Sequence, residues 1–192
     1  MPAGMPAGMP RSYDAVMEHR QLDGTGLKRL HRGWRRRTQG RVALLLDGVQ
    51  SPYNVGTILR LAAAYRVDHL WLAGASATPG EPGVGKTALG TERYLTWSVS
   101  EGAADAAAAA RAQGYRVVGI ELADGATPLH ELVLGEAVCL ALGHEDHGLS
   151  AAGLAACDDV AFLPQLGRVG SLNVGTAAAI ALYESRRQEW AR

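Results

Sequence analysis

Short apolar runs alternate with helix-like segments along most of this chain, and this alternation restricts its fold more than any other feature. Runs such as 42–47 (VALLLD) and 137–143 (AVCLALG) are apolar throughout and do not alternate with polar residues. Strands of that kind are buried on both faces, which is typical of a parallel sheet covered by helices. The sequence therefore predicts an α/β domain.

The predicted elements divide the chain into one folded domain and an N-terminal extension. The predicted strands are 42–47, 69–74, 94–99, 115–122, 137–143 and 160–164, and the predicted helices are 55–65, 101–113, 150–157 and 173–190. A chain of 192 residues has room for one such domain. We expect it over residues 42–192, after a flexible N-terminus and basic arm at 1–41. Residues 1–11, which repeat MPAG, offer little apolar area and are expected to be disordered.

The charges are unevenly distributed, although the formal net charge is zero. Residues 1–41 hold 9 Lys and Arg against 3 Asp and Glu, whereas the remainder holds 10 and 16. Seven cations follow Gly24 with no acidic residue among them: Lys28, Arg29, Arg32, Arg35, Arg36, Arg37 and Arg41. On one helix or arm they would create a positive field suited to nucleic acid. A solvated basic extension is the alternative.

Several functional classes are disfavoured by the composition. No stretch approaches 18 consecutive apolar residues, and 1–10 lacks the apolar run of a signal peptide, so we expect a cytoplasmic protein with no membrane segment. Cys139 and Cys157 lie in apolar stretches, which favours buried thiols over a disulfide. His144 and His147 share a loop without further ligands nearby, so we expect no metal site.

Residues 80–87 (GEPGVGKT) match the P-loop pattern of nucleotide-binding proteins, but their context argues against that function. A P-loop leaves a strand directly and enters a helix whose amides face the phosphate. Here five residues separate the predicted strand from Gly80, and another strand-like run follows. We interpret the match as a coincidence.

Three other segments that follow predicted strands carry polar residues in a more specific arrangement. They are 47–60, with Asn54, Gly56 and Arg60; 142–150, with Gly143 and Glu145; and 163–173, with Ser171 and Asn173. Taken alone, each is equally compatible with a turn or a helix cap, and Asn54 is placed to cap the helix that follows it. Loops at the carboxyl ends of parallel strands, however, are where open α/β sheets bind ligands.

Together and in this order, the three segments resemble the three motifs of the SpoU (TrmH) branch of the SPOUT-class RNA 2'-O-ribose methyltransferases. The resemblance covers about 41–187, and 86–97 is similar to the family's segment between the first and second motifs. It implies a parallel sheet whose C-terminal part forms a deep trefoil knot, a rare exception to unknotted topology. It also implies S-adenosylmethionine as cofactor and a ribose 2'-hydroxyl of RNA as methyl acceptor.

The resemblance also assigns roles to individual residues. The catalytic residues that it implies are Arg60, Asn54, Glu145, Ser171 and Asn173. The cofactor-binding residues that it implies are Leu142, Gly143, Leu163, Pro164, Gly167 and Leu172. Because an arginine stays charged, we expect Arg60 to pair with an RNA phosphate and stabilise the developing alkoxide, not to act as a neutral base. We expect the seven cations to bind the RNA backbone outside the pocket.

The resemblance implies a homodimer, since the family places its active site near a subunit interface. The short basic extension and the LYESRRQ ending look more like the tRNA-directed members, which modify a guanosine in the D-loop, than like rRNA enzymes with a separate N-terminal RNA-binding domain. The C-terminal extension of such tRNA enzymes is not seen in this sequence. We therefore expect RNA as partner, with tRNA favoured over rRNA. The alternatives are an rRNA 2'-O-methyltransferase and a knotted RNA-binding protein without catalysis.

Overall fold

The structure, a computed structural model, describes residues 20–192, and contacts divide the chain between Arg37 and Thr38. The first part contains helix α1 (Gly24–Arg37), which carries six of the seven cations named above. The disorder expected for 1–11 concerns residues outside the described range. No helix within residues 20–192 is long and apolar enough to cross a membrane.

A parallel sheet of seven strands forms the centre of the second part, which begins at Thr38. The strands are β1 (Arg41–Asp47), β2 (Leu70–Ala73), β3 (Trp97–Ser100), β4 (Arg116–Ile120), β5 (Thr127–Pro128), β6 (Ala137–Gly143) and β7 (Asp159–Phe162). Their order across the sheet is β3-β2-β1-β6-β4-β7-β5, and every pairing is parallel. The predicted α/β class with a parallel sheet is confirmed.

Helices cover both faces of this sheet. They are α2 (Pro52–Ala64), α3 (Val84–Ala88), α4 (Ala103–Ala112), α5 (Ala151–Ala155) and α6 (Val174–Trp190), with a 3-10 turn at Thr91–Tyr94. Along β1, Leu44 and Leu46 pack in a core cluster with residues of α2 and α6, while Leu45 packs in the opposite cluster with residues of α4. Burial on both faces explains why the strands read as unbroken apolar runs.

The first helix of this part begins earlier than the sequence predicted. Ser51 is its N-cap, because the Ser51 side chain accepts a hydrogen bond from the N–H of Asn54, and Pro52 occupies the first helical position. The prediction that Asn54 caps this helix was therefore wrong. The consequence is functional, since the Asn54 side chain lies inside the first turn and is available for other partners.

Short elements account for the other differences from the predicted pattern. The run predicted as a strand over 94–99 begins as a strand only at Trp97, because Thr91–Tyr94 forms the 3-10 turn. Strand β5 and helix α3 were not predicted. With two and five residues they are too short to show a hydrophobic period.

A buried arginine fastens α6 to the amino edge of the sheet. The Arg186 guanidinium is 2% exposed and pairs with Glu189 at 3.1 Å. It also donates hydrogen bonds to the carbonyl oxygens of Gly40 (2.7 Å), Tyr65 (2.8 and 3.0 Å) and Arg66 (2.9 Å). A buried charge is costly unless it is paired and hydrogen-bonded, and here it is both.

We predict that Arg186→Met lowers the free energy of unfolding by about 3–5 kcal/mol, because it removes the charged partner of Glu189 and the donor to the carbonyls of Gly40, Tyr65 and Arg66. Urea denaturation measures this change. Arg187→Met is the matched control, since Arg187 is the next residue, is 47% exposed and pairs with Glu184 across one helical turn. Equal unfolding midpoints for the two variants would contradict the prediction.

Candidate active site

The strand order places the carboxyl ends of β1, β6 and β4 side by side, and a cavity of about 410 Å³ opens there. Its walls are the ends of β4 and β6, the loop after β6, the segment between β7 and α6, and α6 itself. The lining residues are 120–122, 142–148, Leu163, Gln165, 170–172, Val174 and Ala177. Open α/β sheets bind ligands at this edge, so the cavity is the candidate site.

One wall of the cavity is a tight hairpin that follows β6. The N–H groups of His144 and Gly148 each donate to the other residue's carbonyl oxygen, both at 2.9 Å. Gly148 has a φ of 66°, which is the left-handed region that favours glycine. A Cβ on Gly143 would overlap the backbone of Gly148 and Leu149. The hairpin can close only because both positions are glycine.

The hairpin presents Glu145 to the start of α2, where three donors meet its carboxylate. The amide nitrogen of the Asn54 side chain donates to Oε1 at 2.9 Å, and the backbone N–H groups of Ser51 and Gln50 donate at 3.0 and 3.3 Å. The Asn173 side chain, which also caps α6, donates to Asn54 Oδ1 at 2.9 Å. The hydrogen-bonded chain of side chains Glu145–Asn54–Asn173 thus joins the three predicted motif segments.

These donors set the ionisation state of Glu145. Burial on its own would raise the pKa of this carboxyl, but the hydrogen bonds from Asn54, Ser51 and Gln50 outweigh it, so the pKa lies below the ordinary value of 4.5. A lowered pKa means that the stability from these bonds is complete above pH 4.5 and is lost as the pH falls through the lower pKa of the folded protein. At neutral pH Glu145 is an ionised acceptor and a weak base.

The other two predicted catalytic residues lie differently. Ser171 is on the cavity wall and is exposed. Arg60 is exposed on α2, six residues after Asn54, which places it about 240° around the helix axis from Asn54. Its guanidinium makes no hydrogen bond or ion pair within residues 20–192. The structure therefore brings together Asn54, Glu145 and Asn173, with Ser171 at the cavity and Arg60 apart from them.

The predicted cofactor residues divide into two groups. Leu142, Gly143, Leu163 and Leu172 line the cavity. Pro164 and Gly167 are exposed and are not among the lining residues. At Gly143 the position that a Cβ would occupy is filled by the hairpin backbone of Gly148 and Leu149.

Sequence reasoning missed two polar residues of the cavity wall, Glu121 and Gln165. The Glu121 carboxylate accepts the N–H groups of Leu122 and Leu149, at 3.0 and 2.9 Å. The Gln165 Oε1 atom is buried and has no hydrogen-bond partner within residues 20–192. Glu121 could have been found, because it directly follows the apolar run of β4 at the ligand-binding edge.

The P-loop match has a structural explanation. Gly56 of α2 lies against α3, where a Cβ would overlap Thr87 Oγ1 and the Val84 carbonyl. The Thr87 hydroxyl donates to the Tyr53 carbonyl at 3.0 Å. Thr87 therefore packs α3 against α2. This structural role agrees with the interpretation of the P-loop match as a coincidence.

The six cations of α1 have a clear arrangement on the helix. At 3.6 residues per turn, Lys28, Arg29, Arg32, Arg35 and Arg36 fall within an arc of about 120°, with Leu27, Leu30 and Trp34 on the opposite side. The remaining cation of α1, Arg37, lies over the Trp34 ring at 4.7 Å. Arg41 is the first residue of β1, and its guanidinium lies 4.3 Å from the centre of the Tyr115 ring.

The two thiols differ in burial. Cys139 is fully buried and Cys157 is partly buried, and both are free. Burial raises the pKa of the Cys157 thiol to about 11, so it is protonated at neutral pH. In the part of the chain that the structure describes, no group of three or more His, Cys, Asp or Glu could hold a metal ion.

Residues 41–183 match the model of the SpoU rRNA Methylase family, which is most of the chain and includes all three motif segments. The chain belongs to this family. In this SpoU protein, the three motif segments meet at two hydrogen bonds, which join Asn54 to Glu145 and Asn173 to Asn54.

Known SpoU proteins resemble the chain at about 30% identity. A tRNA (guanosine(18)-2'-O)-methyltransferase of Thermus thermophilus is 31% identical over 80% of this chain and 78% of its own length. An uncharacterised tRNA/rRNA methyltransferase of Synechocystis is 32% identical over 79% of this chain. The SpoU methyltransferase AviRb of Streptomyces viridochromogenes, solved with the cofactor AdoMet, has a TM-score of 0.70 at 30% identity over 78% of this chain. The chain spans 55% and 58% of the latter two proteins.

We predict that Gly143→Ala opens the SpoU hairpin, because the added Cβ must displace the backbone of Gly148 and Leu149. Overpacking of this kind lowers the free energy of unfolding by about 1–3 kcal/mol. Urea denaturation measures it, and faster hydrogen exchange of the His144 and Gly148 N–H groups localises it. Gly167→Ala is the control, since a Cβ there meets nothing within 4 Å. Unchanged exchange in Gly143→Ala would show that the hairpin tolerates the methyl group.

Proposed function

We propose that this chain transfers a methyl group from S-adenosylmethionine to a ribose 2'-hydroxyl of RNA. The observation that carries the proposal is the hydrogen-bonded chain Glu145–Asn54–Asn173. It assembles polar side chains from three distant segments beside the cavity. Family membership and the AdoMet complex of AviRb support the same activity.

The cavity wall has the chemistry that an adenosyl cofactor needs. Leu142, Leu163 and Leu172 offer apolar surface, while the hairpin backbone offers polar groups. The buried Gln165 oxygen without a partner in residues 20–192 is an acceptor suited to an amine. We propose that Pro164 and Gly167 lie beside the cofactor, and that 142–150 and 163–173 form the knot that the resemblance implies. S-adenosylmethionine supplies a methyl group activated by its positive sulfur.

The chain's own residues must hold the ribose and manage its proton. The lowered pKa of Glu145 makes it a weak base, so its function is to orient the Asn54 amide. We assign hydrogen bonding to the ribose to Asn54, Asn173 and Ser171. Arg60 pairs with the neighbouring phosphate and stabilises the developing alkoxide, while the proton leaves to solvent or to that phosphate.

A homodimer fits the exposed surface of the last helix. Ile180 and Tyr183 of α6 are 43% and 51% exposed, and Tyr53 of the adjacent α2 is 55% exposed. Apolar side chains exposed on neighbouring helices favour association. The basic arc of α1 provides a surface for the RNA backbone, and Arg37 and Arg41 are two further cations that we assign to RNA binding. A cytoplasmic location follows from such a substrate.

We favour tRNA, with a D-loop guanosine as target, over rRNA. The Thermus relative, which is named for guanosine 18 of tRNA, shares 78% of its length with this chain. The deciding experiment incubates the protein with labelled S-adenosylmethionine and with either total tRNA or rRNA, and then maps the methylated nucleotide. Label in rRNA alone would reject the tRNA assignment, and cofactor binding without transfer to either RNA would favour the noncatalytic RNA-binding alternative.

The Arg60→Ala variant should lower single-turnover methyl transfer at saturating RNA by about 100-fold, a typical cost of losing one group that stabilises transition-state charge. Affinities for cofactor and RNA should fall much less, because the interaction forms mainly in the transition state. Arg60→Lys should rescue little, since an ammonium cannot bridge phosphate and oxygen as a planar guanidinium does. Near-normal transfer by Arg60→Ala would remove the catalytic assignment.

Replacement of Arg35 and Arg36 by Gln should weaken RNA binding uniformly and flatten its salt dependence. The slope of log affinity against log salt should fall by about 0.9 for each phosphate that the protein no longer neutralises. Filter binding over a range of salt concentrations measures this slope, and calorimetry with S-adenosylhomocysteine checks that the cofactor site is spared. An unchanged slope would identify α1 as a solvated helix that does not bind RNA.

A further inference from the structure

Among the described residues, Glu121 is the one acid on the cavity wall that comes from the end of β4. Three acids within residues 20–192 line the cavity: Glu121, Glu145 and Asp146. Glu145 and Asp146 belong to the hairpin after β6. In the sheet, β4 lies on the side of β6 away from β1, whereas Glu145 bonds to the segment that follows β1. Glu121 therefore stands across β6 from the Asn54–Glu145 contact.

The Glu121 carboxylate is fixed in place but retains acceptor capacity. Its Oε1 accepts the N–H of Leu122 at 3.0 Å, and its Oε2 accepts the N–H of Leu149 at 2.9 Å. An ionised carboxylate offers about four acceptor sites, so each oxygen keeps one. Asp146, in contrast, is exposed at the hairpin tip, and Glu145 already accepts from three donors.

The hairpin is shaped around this carboxylate. Gly148 has a positive φ, and a Cβ on it would overlap Glu121 Oε2. The close fit leaves the Glu121 side chain little conformational freedom. A ligand that binds its carboxylate therefore loses little binding free energy to the ordering of that side chain.

We propose that Glu121 accepts hydrogen bonds from the vicinal ribose hydroxyls of the adenosyl cofactor and thereby selects a ribonucleoside; this inference rests on the proposed function. Two adjacent oxygens of one carboxylate match two adjacent hydroxyl donors. In another class of α/β nucleotide site, an acid also accepts from a ribose hydroxyl. Hydrogen bonds to a charged partner discriminate strongly against a ligand that lacks the donor.

The test compares S-adenosylhomocysteine with its 2',3'-dideoxy analogue by calorimetry, in the wild-type protein and in Glu121→Gln. Wild type should lose affinity by about tenfold or more when the hydroxyls are removed. Glu121→Gln should bind S-adenosylhomocysteine about tenfold more weakly than wild type does. This variant should bind the dideoxy analogue almost as tightly as it binds S-adenosylhomocysteine. A third ligand without the amino group of the homocysteine part should show the same dependence on Glu121 as S-adenosylhomocysteine itself.

Asp47→Asn provides the matched control for a merely structural effect. The Asp47 carboxylate supports the same hairpin through the N–H of Ser150 at 2.8 Å, but Asp47 does not line the cavity. Asp47→Asn should weaken the binding of S-adenosylhomocysteine and of its dideoxy analogue by the same factor. The same pattern in Glu121→Gln, or a loss that depends on the amino group, would overturn the inference and leave the proposed function intact.

The wild-type measurement stands without any variant. If wild type binds the dideoxy analogue as tightly as S-adenosylhomocysteine, Glu121 does not read the hydroxyls, even if Glu121→Gln fails to fold. If wild type binds neither ligand, the proposed function fails, and the inference fails with it.

Discussion

The hydrogen bond between Asn54 and Glu145 joins residues 91 positions apart, and the arrangement of the site depends on it. It ties the hairpin after β6 to the start of α2, while Asn173 extends the connection to the start of α6. The bond is possible because Ser51 caps α2 and leaves the Asn54 side chain for a distant partner. A helix start, a strand end and a second helix start are thus linked through the Asn54 side chain, which donates to Glu145 and accepts from Asn173.

Three carboxylates from three strand ends determine the shape of the hairpin. Asp47 at the end of β1 accepts the N–H of Ser150, and Glu121 after β4 accepts the N–H of Leu149. Glu145, after β6, accepts the N–H of Ser51 at the start of α2. Their charges are stabilised chiefly by N–H donors, since backbone and amide groups supply these hydrogen bonds. Such donors stay fixed when a ligand arrives, which suits a site that must hold a substrate in one geometry.

The sequence allowed the sheet to be predicted more reliably than the site. The run 137–143 matches β6 at both ends, because a strand buried on both faces is apolar throughout. The Asn54 cap was wrong because Ser51 and Asn54 both suit a cap and local propensity does not choose between them. The position of Glu121 directly after the β4 run marks it as a candidate, but its partner Leu149 lies 28 residues further along the chain, and sequence alone does not show that contact. The close packing of Gly143 on the backbone of Gly148 and Leu149 likewise appears only in the folded hairpin.

Residues from several strands support the hairpin, so the conformation of the site depends on the folding of the whole domain. Because Asp47 and Glu121 come from strands on either side of β6, the hairpin acquires its shape only after β1, β6 and β4 have assembled. Local opening of the hairpin alone would break three anchors at once, so it costs more free energy than the opening of a loop held by a single contact. A small molecule that binds there stabilises the entire parallel sheet by mass action, and occupancy becomes readable as a shift of the melting temperature.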